Sequence, residues 1–110
     1  MTPRMKTGTW ERIFDRESGV CLRCGGAGSE VHHRRSRGMG GTARDPHGVA
    51  NLVLLCAACH RWVESHRTAA YEQGWLIRRS NPTPADQIPV QTGRGLVWLT
   101  NNGEWESTHE

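Results

Sequence analysis

The amino-acid sequence predicts a small α+β domain. Two short segments with the pattern of strands precede a segment with the pattern of a helix, and a C-terminal segment has the pattern of a hairpin. Only 18 of the 110 residues are Leu, Ile, Val or Phe, whereas 13 are Gly and 4 are Cys. Because so few aliphatic side chains form a weak core, a fold of this composition needs a cross-link besides apolar burial. We therefore expect one loop-rich domain over residues 1–110, with its core at about 21–80.

The first predicted element is a short N-terminal helix over residues 9–17. Trp10, Ile13 and Phe14 lie at positions i, i+3 and i+4, which share one face of a helix. The threonine that starts the segment can cap the helix, and Gly19 can end it.

The middle of the chain predicts two strands followed by a helix. Residues 30–33 are a short strand candidate, and residues 51–55, in which an unbroken apolar run follows Asn51, are typical of a buried strand. Between them, residues 34–48 contain four Gly, four Arg and one Pro, a composition that favours a long surface loop. A helix is expected to follow the second strand and to run to about Gln73, where Gly74 ends it.

The C-terminal third predicts one more strand and a hairpin. Residues 75–79 have the pattern of a strand, and the two prolines within residues 81–84 predict a linker after it. Residues 96–100 and 104–106 flank Asn-Asn-Gly, a turn sequence that favours left-handed backbone. We therefore predict a C-terminal β-hairpin within about residues 88–107.

The chain is expected to be a cytoplasmic protein without a membrane partner. No segment approaches the roughly 20 apolar residues that span a bilayer, and the N-terminal residues lack the apolar region of a secretory signal. In a reducing compartment, paired cysteines are more often metal ligands or redox groups than disulfides.

Four cysteines form two CxxC pairs. Cys21 and Cys24 make the first pair, and Cys56 and Cys59 make the second pair after 31 intervening residues. Each pair supplies two thiolates from one turn, and two such pairs are a common ligand set of a structural zinc ion. Closing both pairs around one tetrahedral ion would contribute on the order of 10 kcal/mol to folding. We therefore predict a structural Zn²⁺ with no open coordination position.

Other uses of these cysteines stay open at this point. A thioredoxin-like redox site uses one CxxC, and residues 56–60 also match the CxxCH pattern of c-type haem attachment. Disulfide bonds are a third interpretation. In a fourth interpretation, His32 or His33 joins the first cysteine pair in a mixed zinc site, which would leave no catalytic centre.

The distribution of charge favours a partner that carries phosphate. Thirteen of the fourteen basic residues are Arg, whose planar guanidinium matches phosphate oxygens. Residues 1–80 hold 13 basic and 7 acidic side chains, whereas residues 81–110 hold one and four. A solvated charged surface is the alternative interpretation.

Three histidines and an asparagine accompany the cysteine pairs. His32 and His33 lie in the first predicted strand, Asn51 begins the second, and His60 lies in the first turn of the helix. Adjacent strand residues point to opposite faces, so we expect His32 and His33 to do different jobs. Glu64 follows His60 by four residues and shares its helix face.

Together these residues resemble the HNH endonucleases, also called ββα-metal nucleases, and in particular small phage-encoded members with paired CxxC motifs. The resemblance covers about residues 21–80 and is carried by segments 31–35, 51–56, 59–66 and 70–78. It implies the ββα-metal fold, here with a four-cysteine zinc module, a short N-terminal helix and a C-terminal hairpin.

The resemblance also implies a role for each polar residue. His32 and His60 would bind a catalytic divalent cation, and His33 would be the general base. Asn51 would hold the loop between the two strands so that the imidazole of His33 stays aimed. Many members have a second helical histidine where this chain has Glu64. The carboxylate of Glu64 therefore either serves as the third ligand or contacts water or the zinc module.

This set of residues suits phosphodiester hydrolysis. An imidazole with an ordinary pKa of roughly 6.5 can take a proton from attacking water at neutral pH. A divalent cation stabilises charge on the phosphate and on the leaving oxygen. Imidazole suits Zn²⁺ or Ni²⁺ and a carboxylate suits Mg²⁺ or Mn²⁺, so the catalytic cation is expected among these four. The resemblance implies products with 5′-phosphate and 3′-hydroxyl ends.

Arginines near the expected site are candidate DNA contacts. They are Arg34, Arg35, Arg37 and Arg61. Contact with backbone phosphates would make binding steeply dependent on salt, because each neutralised phosphate releases counterions.

We therefore predict a metal-dependent DNA endonuclease or nickase, in which His33 activates water and a cation stabilises the phosphorane-like transition state. One alternative is a non-catalytic, zinc-stabilised nucleic-acid-binding protein. Another is an adaptor that recruits a second enzyme, such as a phage packaging motor. In a phage setting, where the compartment would be the bacterial host cell, the resemblance makes terminase or portal proteins candidate partners beside DNA.

Overall fold

The computed structural model describes residues 9–36 and 48–107. In chain order its helices and strands are α1 (Thr9–Arg16), β1 (Glu30–His33), β2 (Leu52–Leu55), α2 (Ala57–Ser65), α3 (Arg67–Gln73), β3 (Val90–Thr92), β4 (Gly95–Leu99) and β5 (Trp105–Glu106). The predicted α+β class is confirmed. Most of the loop expected at 34–48, Arg37 included, lies outside the described residues. Within the described part, no helix has the length and apolar character that crossing a bilayer requires.

The two strands of the first sheet and the helix after them form a ββα unit. β1 pairs antiparallel with β2, which places His32 opposite Val53 and His33 opposite Leu52. Cys56 connects β2 directly to α2 and caps its N-terminus. The predicted ββα-metal arrangement with its four-cysteine cluster is therefore confirmed.

β2 is buried on both faces, which explains its unbroken apolar run. Leu52 and Leu54 pack with Ile13 of α1, whereas Val53 and Leu55 belong to the main core with α2 and α3. Since successive side chains of a strand point to opposite faces, β2 separates the two clusters and contributes to both. The strand thereby fixes α1 and α2 on opposite sides of the first sheet.

α1 buries only part of its apolar face. Ile13 is fully buried, but Trp10 and Phe14 are 37% and 40% exposed. The helix ends at Arg16, and the backbone then turns through Gly19, whose φ is +72°. The predicted short helix is therefore present, with a single buried anchor rather than three.

The expected continuous helix to Gln73 is wrong, because the chain forms two helices separated at His66. The backbone of His66 leaves the helical region at φ −123° and ψ 60°. Its N–H still donates to the carbonyl of Trp62 and its ring stacks on that indole at 4.9 Å, while its own carbonyl accepts from Ala70. His66 thus ends one helix and begins the next.

The strand expected at 75–79 is also wrong. The N–H groups of Trp75 and Leu76 both donate to the carbonyl of Ala70 at the end of α3, so neither is available for a sheet. Ile77 alone makes an isolated parallel bridge, to Arg35. The segment instead packs as a buried extension of the helix end, following Gly74.

The C-terminal hairpin is confirmed and is part of a larger sheet. β4 pairs antiparallel with β5 across a turn in which Gly103 has a φ of +89°. β3 pairs with the other edge of β4 and makes a three-stranded sheet. Val90, Val97 and Leu99 join this sheet to the main core, beside the ββα unit.

Candidate metal centres and catalytic pocket

The four cysteines come together at the junction of the N-terminal turn and α2. Their sulfur atoms all lie within 4.8 Å of one another, and the sulfurs of Cys24 and Cys56 are 3.8 Å apart. A tetrahedral ion with Zn–S bonds of about 2.3 Å separates its sulfur ligands by about 3.8 Å. The four residues therefore fit a structural zinc ion.

Backbone N–H groups point at the cysteine sulfurs, as thiolate ligands require. Cys24 N donates to the sulfur of Cys21, and Cys59 N donates to the sulfur of Cys56, each at 3.4 Å. This backbone hydrogen bond from Cys59 lowers the pKa of the Cys56 thiol to about 7. Burial raises the pKa of the Cys59 thiol, so that thiolate needs a neighbouring cation.

Arg23 is a neighbour of the cysteine cluster that the sequence analysis missed. Its guanidinium donates to the sulfur of Cys59 at 3.3 Å and lies 3.7 Å from the ring centroid of Trp62. The arginine places positive charge beside Cys59, the more buried cysteine of the second pair, and joins the turn that contains the first pair to α2.

The second candidate metal site combines β1 with α2. His32 of β1 and His60 and Glu64 of α2 offer ligand atoms that all lie within 4.8 Å of one another. The rings of the two histidines are 5.0 Å apart between centroids. Two imidazoles and one carboxylate form a donor set that suits divalent transition metals. The predicted i, i+4 relation of His60 and Glu64 thus places both on the face of α2 that meets β1.

The ring of His32 is oriented by a backbone carbonyl. His32 is 3% exposed, and its Nε2 lies 2.7 Å from the carbonyl oxygen of Trp75. Because a carbonyl only accepts, Nε2 carries the proton and Nδ1 is left as the metal-ligand atom. Burial lowers the pKa of His32 to about 4, so the ring is neutral at pH 7, as a ligand must be.

The ring of His60 is oriented by a carboxylate. Its Nδ1 lies 2.6 Å from Oε1 of Glu30, which leaves Nε2 for a metal ion. A carboxylate behind a metal-bound imidazole fixes the ring and raises its basicity. Glu30 was not among the site residues predicted from the sequence, although its position two residues before His32 places both on the same face of β1.

His33 borders the cavity onto which the second metal site opens. The cavity has a volume of about 710 Å³, and His32, His33, His60 and Glu64 all line it. Strand alternation predicts opposite directions for the two adjacent histidines. Both imidazoles nevertheless border one cavity, at the end of β1 where the chain bends at Arg34.

Asn51 holds the chain immediately after His33. Its side-chain oxygen accepts from Arg35 N at 2.8 Å, and its amide nitrogen donates to Arg35 O at 3.0 Å. Its backbone carbonyl accepts from Arg34 N at 2.8 Å. Asn51 is buried and does not line the cavity, so the placement suits a positioning residue rather than a group that contacts substrate.

The prediction that Arg34 and Arg35 contact DNA is wrong. Arg34 is fully buried and Arg35 is 4% exposed. Both guanidinium groups donate instead to backbone carbonyls, which are those of Ala50, Gly74, Ala85 and Ile88 for Arg34 and those of Asn81 and Thr83 for Arg35. Neither charge is available to a phosphate, because each guanidinium is committed inside the protein.

Other arginines occupy the surface around the site. Arg61 is exposed on α2 and borders a shallow pocket with Glu30, His60 and Glu64. The 710 Å³ cavity is lined by three exposed arginines, namely Arg67, Arg78 and Arg79, and by the buried Arg34. Arg78 and Arg79 were not among the arginines predicted from the sequence to lie at the site.

Comparison with known families identifies the segment that contains both metal sites. The model of the HNH endonuclease family matches residues 21–65, which include both cysteine pairs and the two histidine positions of β1. Searches of curated proteins and of solved structures find no match. Residues 21–65 are therefore similar to the domain of the HNH endonucleases, a family of nucleases.

Proposed function

We propose that the protein is a metal-dependent DNA endonuclease or nickase. The observation that carries this proposal is the cavity of about 710 Å³, in which the imidazole of His33 lies beside the ligand set of His32, His60 and Glu64. Hydrolysis of a phosphodiester needs a base for water and a positive charge for the phosphate oxygens. The cavity offers both beside a space open to a substrate.

Each group around the cavity has one task in this mechanism. His32, His60 and Glu64 would hold a divalent cation, which when bound stabilises negative charge on the phosphate and on the leaving 3′ oxygen. His33 takes the proton of the water that attacks phosphorus, the bond from phosphorus to the 3′ oxygen breaks, and the leaving 3′ oxygen takes a proton from solvent. The products then carry a 5′-phosphate and a 3′-hydroxyl.

Residues outside the cavity keep these groups in place. The Trp75 carbonyl and the Glu30 carboxylate fix the two imidazole ligands, and Asn51 fixes the chain after His33. Zinc held by the four cysteines would anchor α2 at Cys56, the residue that caps the helix carrying two ligands of the other cation. In this proposal the protein holds two metal ions with different roles, which are a structural zinc at the cysteines and a catalytic cation at His32, His60 and Glu64.

Cleavage of supercoiled plasmid tests the proposed function. The zinc-loaded protein is incubated with plasmid and Mg²⁺, Mn²⁺ or Ni²⁺, or without an added divalent cation. We expect nicked or linear DNA with at least one of these cations and none without an added cation, and we expect DNA ligase to reseal nicked products. Intact plasmid under every condition would contradict the proposal. If the protein bound that plasmid without cutting it, the non-catalytic nucleic-acid-binding alternative would be favoured. The experiment does not address terminase or portal proteins, which stay predicted partners.

Removal of the Glu30 carboxylate is predicted to weaken cation binding through His60. We expect Glu30→Ala to lower the affinity for added Mn²⁺ by about 10- to 100-fold, since loss of such a partner leaves the imidazole ligand free to rotate. Glu30→Gln keeps an oxygen that can accept from His60, so its loss should be smaller. Calorimetric titration of the zinc-loaded protein measures both.

Glu72→Gln is the matched control for these variants, because it removes an exposed carboxylate on α3 that does not line the cavity. Equal Mn²⁺ affinities for the Glu30 and Glu72 variants would show that Glu30 does not support the site.

A further inference from the structure

Three arginines form a basic border on one side of the catalytic cavity. Arg67 lies at the start of α3, and Arg78 and Arg79 lie just after the buried segment that follows α3. We call Arg67, Arg78 and Arg79 the arginine ridge. All three line the same cavity as His33 and are exposed to solvent.

Tyr71 supports two members of the ridge. The guanidinium of Arg78 lies 4.1 Å from the centroid of the Tyr71 ring, and that of Arg67 lies 5.7 Å from it. Arg67 also donates to the Tyr71 hydroxyl at 3.2 Å. A guanidinium that stacks on a ring by its face keeps its N–H edges for oxygen acceptors. The aromatic ring thus limits the motion of Arg78 without neutralising it.

The charge of the ridge exceeds that of the carboxylates near it. Among the described residues that line the cavity, Glu64 is the single acidic one, and it pairs with Arg67 at 3.3 Å. This pair is more than half exposed and therefore weak, and Glu64 is also a candidate cation ligand. Within the described ranges, no carboxylate forms an ion pair with Arg78. An anion with several negative oxygens complements this surface.

Two buried arginines hold the segment that carries the ridge. Arg34 donates to the carbonyls of Gly74 and Ile88. Arg35 donates to the carbonyls of Asn81 and Thr83, and Ile77 N donates to the carbonyl of Arg34 at 2.9 Å. Since both arginines directly follow His33, the distance from the ridge to the end of β1 is fixed by many hydrogen bonds.

We propose that the arginine ridge binds the DNA backbone at phosphates next to the scissile one. The ridge and the metal site border one cavity, so a strand whose scissile phosphate lies beside His33 passes its neighbouring phosphates along Arg67, Arg78 and Arg79. This inference rests on the proposed function and names the surface that places the substrate. Arg34 and Arg35 contribute to DNA binding indirectly, by fixing the position of the ridge.

Fluorescence anisotropy with a labelled DNA duplex tests the ridge. Binding is measured without added divalent cation over a series of salt concentrations, for wild type and for the double variant Arg78→Gln, Arg79→Gln. We expect the variant to bind about tenfold or more weakly and the salt dependence to fall by about two released counterions, because each phosphate contact contributes about one. Both side chains are exposed, so thermal unfolding should be unchanged.

The double variant Arg12→Gln, Arg94→Gln is the matched control. It removes two exposed arginines that do not line the cavity, and the total charge changes by the same amount. We expect it to keep affinity within about twofold of wild type and to keep a salt slope close to that of wild type. Equal losses in the two double variants, or no loss in the ridge variant, would overturn the proposal.

Kinetics of plasmid cleavage separate the ridge from the proposed function. With the active cation, the ridge variant should show a KM raised about tenfold and a kcat near that of wild type, because the reacting groups are intact. If wild type cleaves DNA and the ridge variant matches it in KM and affinity, the ridge assignment fails and the nuclease assignment stands. If wild type never cleaves but only the ridge variant loses binding, the ridge stands as a DNA surface and the nuclease assignment fails.

Discussion

Replacing His33 with alanine is expected to reduce DNA cleavage by at least about 100-fold, the usual contribution of a positioned general base. The ring borders the cavity but is not one of the three clustered ligand residues. His33→Ala should therefore keep the affinity for Mn²⁺ and for a DNA duplex close to wild-type values. A loss confined to the chemical step distinguishes a base from a ligand. The measurement is single-turnover plasmid cleavage at saturating cation.

His66→Ala is the matched control for this variant. His66 is exposed, stacks on Trp62 and does not line the cavity, so its removal should leave cleavage unchanged. Added imidazole should partly restore cleavage by His33→Ala, since a free base can enter a cavity of this size. A fully active His33→Ala protein would refute the assignment of the base.

Removal of zinc from the cysteine cluster is expected to unfold the protein. A four-cysteine zinc site contributes on the order of 10 kcal/mol, which is comparable to the whole stability of a small domain. Cys21 and Cys59 are buried in the main core, so losing the ion removes the link between the two cysteine pairs at the centre of the fold. Metal analysis should return one tightly held zinc per chain, and extraction should abolish the cooperative thermal transition.

Cys24→Ser separates loss of the ligand from loss of packing. Cys24 is exposed, and serine has nearly the same shape, so any large destabilisation reports the missing sulfur ligand. We expect the variant to retain zinc poorly and to unfold at a much lower temperature. Protein that contains no zinc as purified, or that stays folded after the zinc has been extracted, would contradict the proposed zinc cross-link.

The sequence was sufficient for those features of the site that depend on local spacing. The i, i+4 positions of His60 and Glu64 place both on one face of any helix, and each CxxC pair closes within one turn. The unbroken apolar run of β2 likewise predicts a strand covered on both sides. The structure brings together both groups of residues that were expected to bind metal. The four cysteines were expected from their spacing, whereas His32, His60 and Glu64 were expected from the resemblance to the HNH endonucleases.

Features that depend on distant contacts could not be predicted in this way. Arg34 follows the two histidines, and arginine is the residue type expected at a DNA contact. Its partners, however, are carbonyls 16 to 54 residues away in sequence. The support of His60 by Glu30 arises only once β1 lies against α2. Arg78 and Arg79 reach the cavity because the N–H groups of Trp75 and Leu76 turn back to α3 instead of extending a sheet.

Direct binding of Mn²⁺ tests whether the cluster of His32, His60 and Glu64 holds a cation separate from the zinc. Mn²⁺ stands at the weak end of the affinity order of divalent metals, so it does not displace zinc from thiolates. Electron paramagnetic resonance of the zinc-loaded protein should show one saturable Mn²⁺ per chain in wild type. His60→Ala should lose that site while it keeps its zinc. Undiminished Mn²⁺ binding by His60→Ala, or no saturable binding by wild type, would contradict a second metal centre at this position.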